Sequence, residues 1–481
     1  MSFAHNTRAV PAAAAPTTVQ QLLDNAPFSR RHAAILGLAF LALMLEGIEL
    51  QLWAFIYPQI IRDWGTTLET VTMIVTAGLI TLTLGSVVAG PLADRIGRKP
   101  VIVSGVALFG AATLAGAIAP DEFWLGAARA AACFGLGAVM PLLVTLVSET
   151  MPLKRRTSLV GLVFAGFTIG PVIVGALAGK VIPAFGWHAL LAGGGIVALL
   201  LLPVLAVAMP ESPGYLARMH GRSEQLDRIL RQLTATADLS AISFELPRAG
   251  RTSNAVHAVL SRTNWLRSML VWFCYFVVAG IVYIFINYLP LMAATIGVST
   301  AAAGLAVVSL GIAGVLGSLS IGILMTKLGR FAVIAAFLAL ATLTVWATAV
   351  VDLNAMTLII LSALLGLAVV GLNAGMNAFS TTDGIFPPEG RATGVSWMHG
   401  FGKAGSIVSG IVGGSMLAAG WGMGQIYFVL GFPLVLAIIA VLTLAVMVRR
   451  SALSQISAIP QDAAGVRSAD PTAAGAPADG L

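Results

Sequence analysis

The chain predicts an all-α membrane protein, twelve transmembrane helices arranged as two six-helix bundles. Three observations carry that expectation: apolar runs of membrane-spanning length, basic residues biased to one side of them, and a repeat that maps the first half onto the second. The soluble alternative is excluded by composition. The 481 residues are 58% hydrophobic and only 10% charged, with a mean hydropathy of +0.94, outside the soluble globular range. A net charge of +7 raises the question of nucleic acid, but the basic residues fall in short clusters between apolar runs. Topology explains them, and no nucleic-acid partner is expected. Cys133 and Cys274 both lie inside apolar runs, which implies neither a disulfide framework nor a metal site.

Runs long enough to cross a bilayer extend over 33–60, 69–90, 100–119, 123–148, 157–179 and 189–209 in the first half. In the second half they cover 265–290, 301–325, 331–351, 355–380, 392–418 and 424–447. They divide the chain into a disordered cytoplasmic N-terminus (1–27), a six-helix bundle (28–210), a cytoplasmic central loop (211–263), a second bundle (264–448) and a disordered cytoplasmic tail (449–481). The first segment lacks the short apolar core of a signal peptide, so the first helix is expected to be retained. The loop has a weakly helical pattern over 223–233, and the tail is rich in Ala, Gly, Pro and Asp with no periodic apolar face. With the N-terminus in the cytoplasm, the outside loops hold only Arg62 and Lys180 of the 27 basic residues, and Arg129 and Lys403 sit within spans. The positive-inside rule therefore puts both termini and the central loop in the cytoplasm of a multi-pass protein of the cell (inner) membrane.

The repeat is visible in loop residues. Pro58 ending span 1 recurs as Pro290 ending span 7, and Gly97-Arg98 recurs at the same offset as Gly329-Arg330. Pro152 and Arg156 recur, at nearly that offset, as Pro387 and Arg391. Inverted or tandem repeats of this kind build transporters around a mid-membrane site.

The most informative stretch is Leu45-Glu46-Gly47-Ile48-Glu49-Leu50-Gln51, which puts two carboxylates in the middle of span 1. A charge at mid-membrane costs about 2.5–3.5 kcal/mol on insertion scales, so both must face protein or water. Spacing i,i+3 sets them on one helix face, where the charges repel and one proton is easy to hold and to exchange. A pair neutralised by a neighbouring helix for structure alone is the bland alternative. Under the repeat, Glu46 and Glu49 correspond to Val278 and Ile281, so the acids belong to one half only, as working groups would.

Gly90-Pro91-Leu92-Ala93-Asp94-Arg95-Ile96-Gly97-Arg98-Lys99 is the most specific motif. Its glycines permit a tight turn and close helix approach, and Asp94 can cap a helix or pair with arginines of the neighbouring hairpin. It resembles the loop between the second and third helices of the major facilitator superfamily, which implies the major facilitator fold and a charge lock at the cytoplasmic mouth. The second copy is degraded, with Thr326 where Asp94 stands, so the lock is expected to be lopsided. Ser148-Glu149-x-x-Pro152 with Arg156, and Pro210-Glu211-Ser212-Pro213, resemble the acid and arginine clusters after helices 4 and 6 of many facilitators. The expected gate therefore comprises Gly90, Asp94, Arg95, Gly97, Arg98, Glu149, Arg156, Glu211 and Arg391.

Three stretches narrow the resemblance. Glu46-Gly47-Ile48-Glu49-Leu50-Gln51 is similar to the first-helix acid signature of the aromatic acid:H+ symporters, which carry 4-hydroxybenzoate, protocatechuate, benzoate or hydroxyphenylpropionate. Gly390 to Met398 is similar to the start of helix 11 there, and Ile182 to His188 to the approach to helix 6. Relatives usually have at least one aspartate where this chain has two glutamates, and the longer arm moves the carboxylate by about one methylene. The resemblance implies proton coupling through Glu46, Glu49 and Arg129, and puts Lys403 where relatives often have arginine. From chemistry alone, an imported carboxylate needs a buried cation. Lys403 is expected to meet the substrate carboxylate, and Arg129 to answer Glu46 and Glu49; mere neutralisation of a glutamate by Arg129 stays open.

Other substrate-binding candidates are His399, one turn before Lys403, the pair Asn373 and Asn377 in helix 10, and Asn287 as a hydroxyl partner. Trp53, Tyr283, Tyr288 and Trp397 could stack on an aromatic ring, though interfacial belts and packing explain most membrane aromatics. Gly400-Phe401-Gly402-Lys403-Ala404-Gly405 matches a dinucleotide fingerprint, but it lies in an apolar span with no preceding strand. No Walker A sequence, nucleophile and base pair or metal set is present, so neither an enzyme nor a cofactor is expected. Gly166-x-x-x-Gly170-Pro171 resembles the antiporter motif of exporting facilitators, with small-residue packing as the favoured reading. The expected function is import of an aromatic carboxylate by proton symport with alternating access, in a lipid bilayer and as a monomer. The alternatives are a proton-coupled drug or metabolite exporter and a non-transporting sensor of aromatic acids.

Overall fold

The computed structural model describes residues 17–220, 223–234, 242–243, 252–380, 385–387 and 390–457. A short helix α1 (Val19–Asp24) precedes α2 (Arg30–Trp64), α3 (Leu68–Ile96), α4 (Arg98–Gly116), α5 (Glu122–Thr150) and α6 (Leu153–Ala208). The central loop carries α7 (Pro213–His220), α8 (Glu224–Thr234) and α9 (Thr252–Leu260). The second half is α10 (Trp265–Thr295), α11 (Thr300–Leu328), α12 (Arg330–Val350), α13 (Ala355–Leu365), a π-helical turn at Gly366–Val370, α14 (Gly371–Ser380), α15 (Arg391–Ala418) and α16 (Met423–Ser457).

Ten of the described segments are long and apolar enough to cross a membrane. One of them, Leu159–Ala208, is two crossings, because Gly186 breaks it with a left-handed φ of 76° that only glycine adopts without strain. The polar residues of α15 keep it out of the ten, and as a 28-residue helix it makes the twelfth. Polar loop residues start these helices by capping free N–H groups: Ser29 for α2, Thr67 for α3, Asp121 for α5, Ser299 for α11 and Asn354 for α13.

Packing repeats between the halves. In the first, α2 lies on the start of α6, α3 on α5, and α4 on the end of α6; in the second, α10 lies on α15, α11 on α13, and α12 on α16. Glycines make the closest approaches. A side chain on Gly166 would meet the Phe40 carbonyl, and one on Gly170 would meet the Ile48 amide and the Met44 carbonyl. The Gly166-x-x-x-Gly170 pattern is therefore explained by α2 lying against α6.

The halves meet near the end that carries Trp64 and Gly297, where Gly175 faces Gly304, Gly179 faces Ala301, and Gly410 and Gly414 face Leu79 and Thr72. The ion pairs described at the opposite end join the first half to itself, to α1 and to the central loop.

Two expected boundaries are corrected. Within the segment expected to be disordered, α1 is helical and packs on α7 and α8, with Val19 and Leu23 buried beside Leu226, Leu230 and Leu233. Leu226, Leu230 and Leu233 fall at helical spacing, so the weak pattern read over 223–233 is an amphipathic helix whose apolar face α1 covers. Thr17–Thr18 also pairs with Ile242–Ser243 as a two-residue parallel ladder. At the other end α16 continues to Ser457, past the expected start of the tail. Residues 1–16 and 458–481 lie outside the described residues.

Candidate functional site

Glu46 and Glu49 are both buried, at 4% and 1% exposure, yet their surroundings differ. The Glu49 Oε1 accepts hydrogen bonds from Trp53 Nε1 at 2.7 Å and from the Thr113 hydroxyl of α4. Trp53 stands one turn after Glu49, which lets one indole serve two groups: its N–H holds the carboxylate, and its face carries the Arg129 guanidinium of α5, 5.2 Å from the ring centroid. Arg129 itself is 1% exposed, and its Nε and Nη1 have no hydrogen-bond partner. Its charge acts on Glu49, with Tyr57 and Cys133 as neighbours.

Glu46 has no such anchor. Its Oε2 is buried without a hydrogen-bond partner, and the cation whose field acts on it is Lys403, from α15 in the other half. The described close ion pairs are Arg62–Asp63, Arg98–Glu149, Arg156–Asp24 and Arg218–Asp94, so these two acids and two bases are near one another without being locked. Arg129, expected to answer both acids, acts on Glu49, while the field at Glu46 is that of Lys403.

On the second half, Lys403 belongs to a polar cluster from three helices. The Tyr275 hydroxyl of α10 lies 3.3 Å from His399 Nδ1, with the rings edge to face at 5.3 Å, and the Asn373 and Asn377 side chains of α14 lie near that hydroxyl. Asn377 also donates to the Asn373 carbonyl at 2.8 Å. On this face of α15 His399 is exposed and Lys403 half-buried. Tyr283 is half-buried in reach of Glu46, and its carbonyl accepts from Asn287 Nδ2 at 2.9 Å. Asn287 Oδ1 is buried without a partner.

Three aromatic candidates are placed elsewhere than a stacking role requires. Trp53 is fully buried between Glu49 and Arg129, so it positions charges. Tyr288 is fully buried with its hydroxyl donating to the Gly410 carbonyl at 2.8 Å, which ties α10 to α15. Trp397 lies two residues from His399, about 200° around the helix. It packs on Trp272 at 5.3 Å on the side away from the polar cluster.

The gate motif folds as a set of charge-assisted contacts. Gly97, at φ 101°, turns α3 into α4 and leaves room for the Glu211 carboxylate, which accepts the Arg98 N–H at 2.8 Å and the Lys99 N–H at 3.3 Å. A carboxylate there caps the N-terminus of α4. Arg98 Nη2 pairs with Glu149 at 2.6 Å, and the Ser212 hydroxyl donates to the other oxygen of Glu149. Asp94 pairs at 2.8 Å with Arg218 of α7, a central-loop partner rather than one from a neighbouring hairpin. Arg156 pairs with Asp24 of α1, and Tyr215 donates to the Arg95 carbonyl. Gly90 makes no close approach, so the expected packing reason fails there. Arg391 opens α15 at the same end. In the second half, Thr326 donates to the Ile323 carbonyl within its own helix.

Sequence reasoning passed over Thr113, Tyr275 and Tyr57. Thr113 and Tyr275 act on partners far away in the chain, and Tyr57 reads as one more apolar aromatic in a span, so no local pattern marks them.

A family profile described as Major Facilitator Superfamily matches residues 35–382 and, separately, 271–469. The 4-hydroxybenzoate transporter PcaK of Pseudomonas aeruginosa is 34% identical over 427 residues, covering 88% of this chain and 95% of that protein. The gallate transporter of Pseudomonas putida is 31% identical over 429 residues, covering 89% of this chain and 95% of that protein. Among solved structures, the xylose transporter XylE of E. coli in a partially occluded inward open conformation superposes with a TM-score of 0.64 at 18% identity. The superposition covers 85% of this chain and 97% of that one, a likeness of fold.

Proposed function

The chain belongs to the Major Facilitator Superfamily, in the family of the 4-hydroxybenzoate and gallate transporters, and from that premise we propose that it imports an aromatic carboxylate by proton symport. It is a multi-pass membrane transporter and not an enzyme. The observation that carries the symport reading is Glu46: a buried acid with an unpartnered oxygen in one half, facing Lys403 in the other.

That arrangement supplies a coupling rule. An ionised Glu46 holds the field of Lys403; once Glu46 takes a proton, Lys403 is free to receive a substrate carboxylate. Substrate and proton then enter together, because each makes room for the other. Glu49, fixed by Trp53 and Thr113 and balanced by Arg129, is the second proton site. Energetically, an anion entering a negative interior is opposed by about 2.3 kcal/mol per 100 mV, so one proton cancels the charge penalty and a second adds drive. The two bundles rock about the site. With the Asp94 end in the cytoplasm, the contacts at the Trp64 end close the outer mouth, and Asp94, Arg98, Glu149 and Glu211 belong to the inner gate. One chain supplies both halves of the site, so the monomer is the transporting unit.

Uptake of radiolabelled 4-hydroxybenzoate into proteoliposomes under an inward proton gradient tests this. Accumulation is expected to vanish with a protonophore and in Glu46→Gln and Glu49→Gln, and Lys403→Ala is expected to raise KM. Undiminished accumulation in the Glu46→Gln, Glu49→Gln double variant would sink the symport reading.

A further inference from the structure

Along the seam between the halves lies a cavity of about 70 Å³ that Glu46, Glu49, Arg129 and Lys403 do not line. Its walls are apolar, with Ile286 and Leu289 from α10, Leu310 from α11 and Val369 from the π-helical turn, and Gln51 of α2 reaches it. Gln51 is 2% exposed, and its Nε2 is buried with no hydrogen-bond partner. We infer that this cavity is the subsite for the oxygen-bearing edge of the substrate ring, with the Gln51 amide donating a hydrogen bond to a ring hydroxyl.

Four features converge on it. A buried amide donor left unmade costs about 1–3 kcal/mol, a cost that a ligand acceptor removes. The apolar walls admit a ring edge and penalise a charged group, so the carboxylate must lie at the other end of the ligand. Gln51 stands about 7.5 Å along the α2 axis and about 140° around it from Glu46, and the cavity adjoins the acid across α10 instead, where Val282 and Ile286 of its wall flank Tyr283, which lies in reach of Glu46. The π-helical turn shapes one wall; a side chain on its first residue, Gly366, would collide with the Leu310 carbonyl, so α11 and this turn are fitted backbone to backbone. Such turns recur at functional sites.

The inference rests on the aromatic-acid reading and assigns the hydroxyl-recognising residue within it. Its test is competition between 4-hydroxybenzoate and benzoate, in proteoliposome uptake and in calorimetric binding to the purified protein. The wild type is expected to prefer the hydroxylated acid, and Gln51→Leu to reduce that preference about threefold to tenfold, the size of one neutral hydrogen bond. Ile286→Phe, which fills the cavity and leaves the amide in place, is expected to reduce it as well and covers the case in which Gln51→Leu does not fold. An unchanged ratio of the two acids in the folded variants overturns the assignment, as does an equal loss for both. Should the wild type accumulate neither acid, the transport reading falls, and the binding ratios of wild type and variants still decide whether Gln51 reads the hydroxyl.

Discussion

Trp53 shows how much chemistry a single side chain concentrates here. Its indole N–H holds Glu49 at 2.7 Å while its ring face carries Arg129, so the two opposite charges are balanced through an intermediary and neither is neutralised by direct contact. Hydrogen bonds to charged groups contribute about 1.5–3 kcal/mol. Trp53→Phe keeps a face for Arg129 and removes the donor to Glu49. The expected outcome is an uptake rate reduced about tenfold or more with a displaced dependence on external pH, measured as proteoliposome uptake across a pH series. A variant with a proportionally lower rate and an unmoved pH profile would reduce Trp53 to packing. Glu46 and Glu49 are indistinguishable in sequence, two glutamates on one face. What separates them is that one has Trp53 and Thr113 as donors and the other faces Lys403.

At the level of elements, the fit of α2 against α6 fixes where the acids stand. Gly170 lies under the Met44 carbonyl and the Ile48 amide, which bracket Glu46 and adjoin Glu49, and leaves no space for a methyl group. Gly170→Ala is expected to destabilise the protein by about 1–3 kcal/mol, the range for overpacking a close contact, seen as a lower Tm in detergent. It is also expected to lower gradient-driven uptake more than the stability loss explains, because α2 carries both acids. An unchanged Tm would show that α2 has room to move away. Gly166 and Gly170 fit either an exporter signature or close packing in sequence, and the helix contact accounts for both glycines. The central loop illustrates the reverse: its polar composition hid α7 and α9, and only the amphipathic spacing of α8 was legible.

At the scale of the molecule, the halves touch at the Trp64 end, and His399 stands exposed on the face that looks between them. Both native cysteines, Cys133 and Cys274, are buried, so a cysteine placed at His399 reports with little background. In oriented vesicles His399→Cys is expected to react with a membrane-impermeant maleimide from the Asp94 side and much more slowly from the Trp64 side, with added 4-hydroxybenzoate slowing the reaction. Equal labelling from both sides would contradict closure at the Trp64 end.

The sequence by itself determined the number of crossings, the repeat, the superfamily and the positions of the buried charges. Each of these follows from local apolar length, from spacing along one helix, or from a contiguous loop motif. Only the tertiary structure set Trp53 between Glu49 and Arg129 and Trp397 against Trp272, brought the field of Lys403 to Glu46, and gave Asp94 its arginine in the central loop. Those pairings join residues far apart in the chain, and they depend on how each helix is rotated about its axis and set in height against its neighbours, quantities that no single helix encodes.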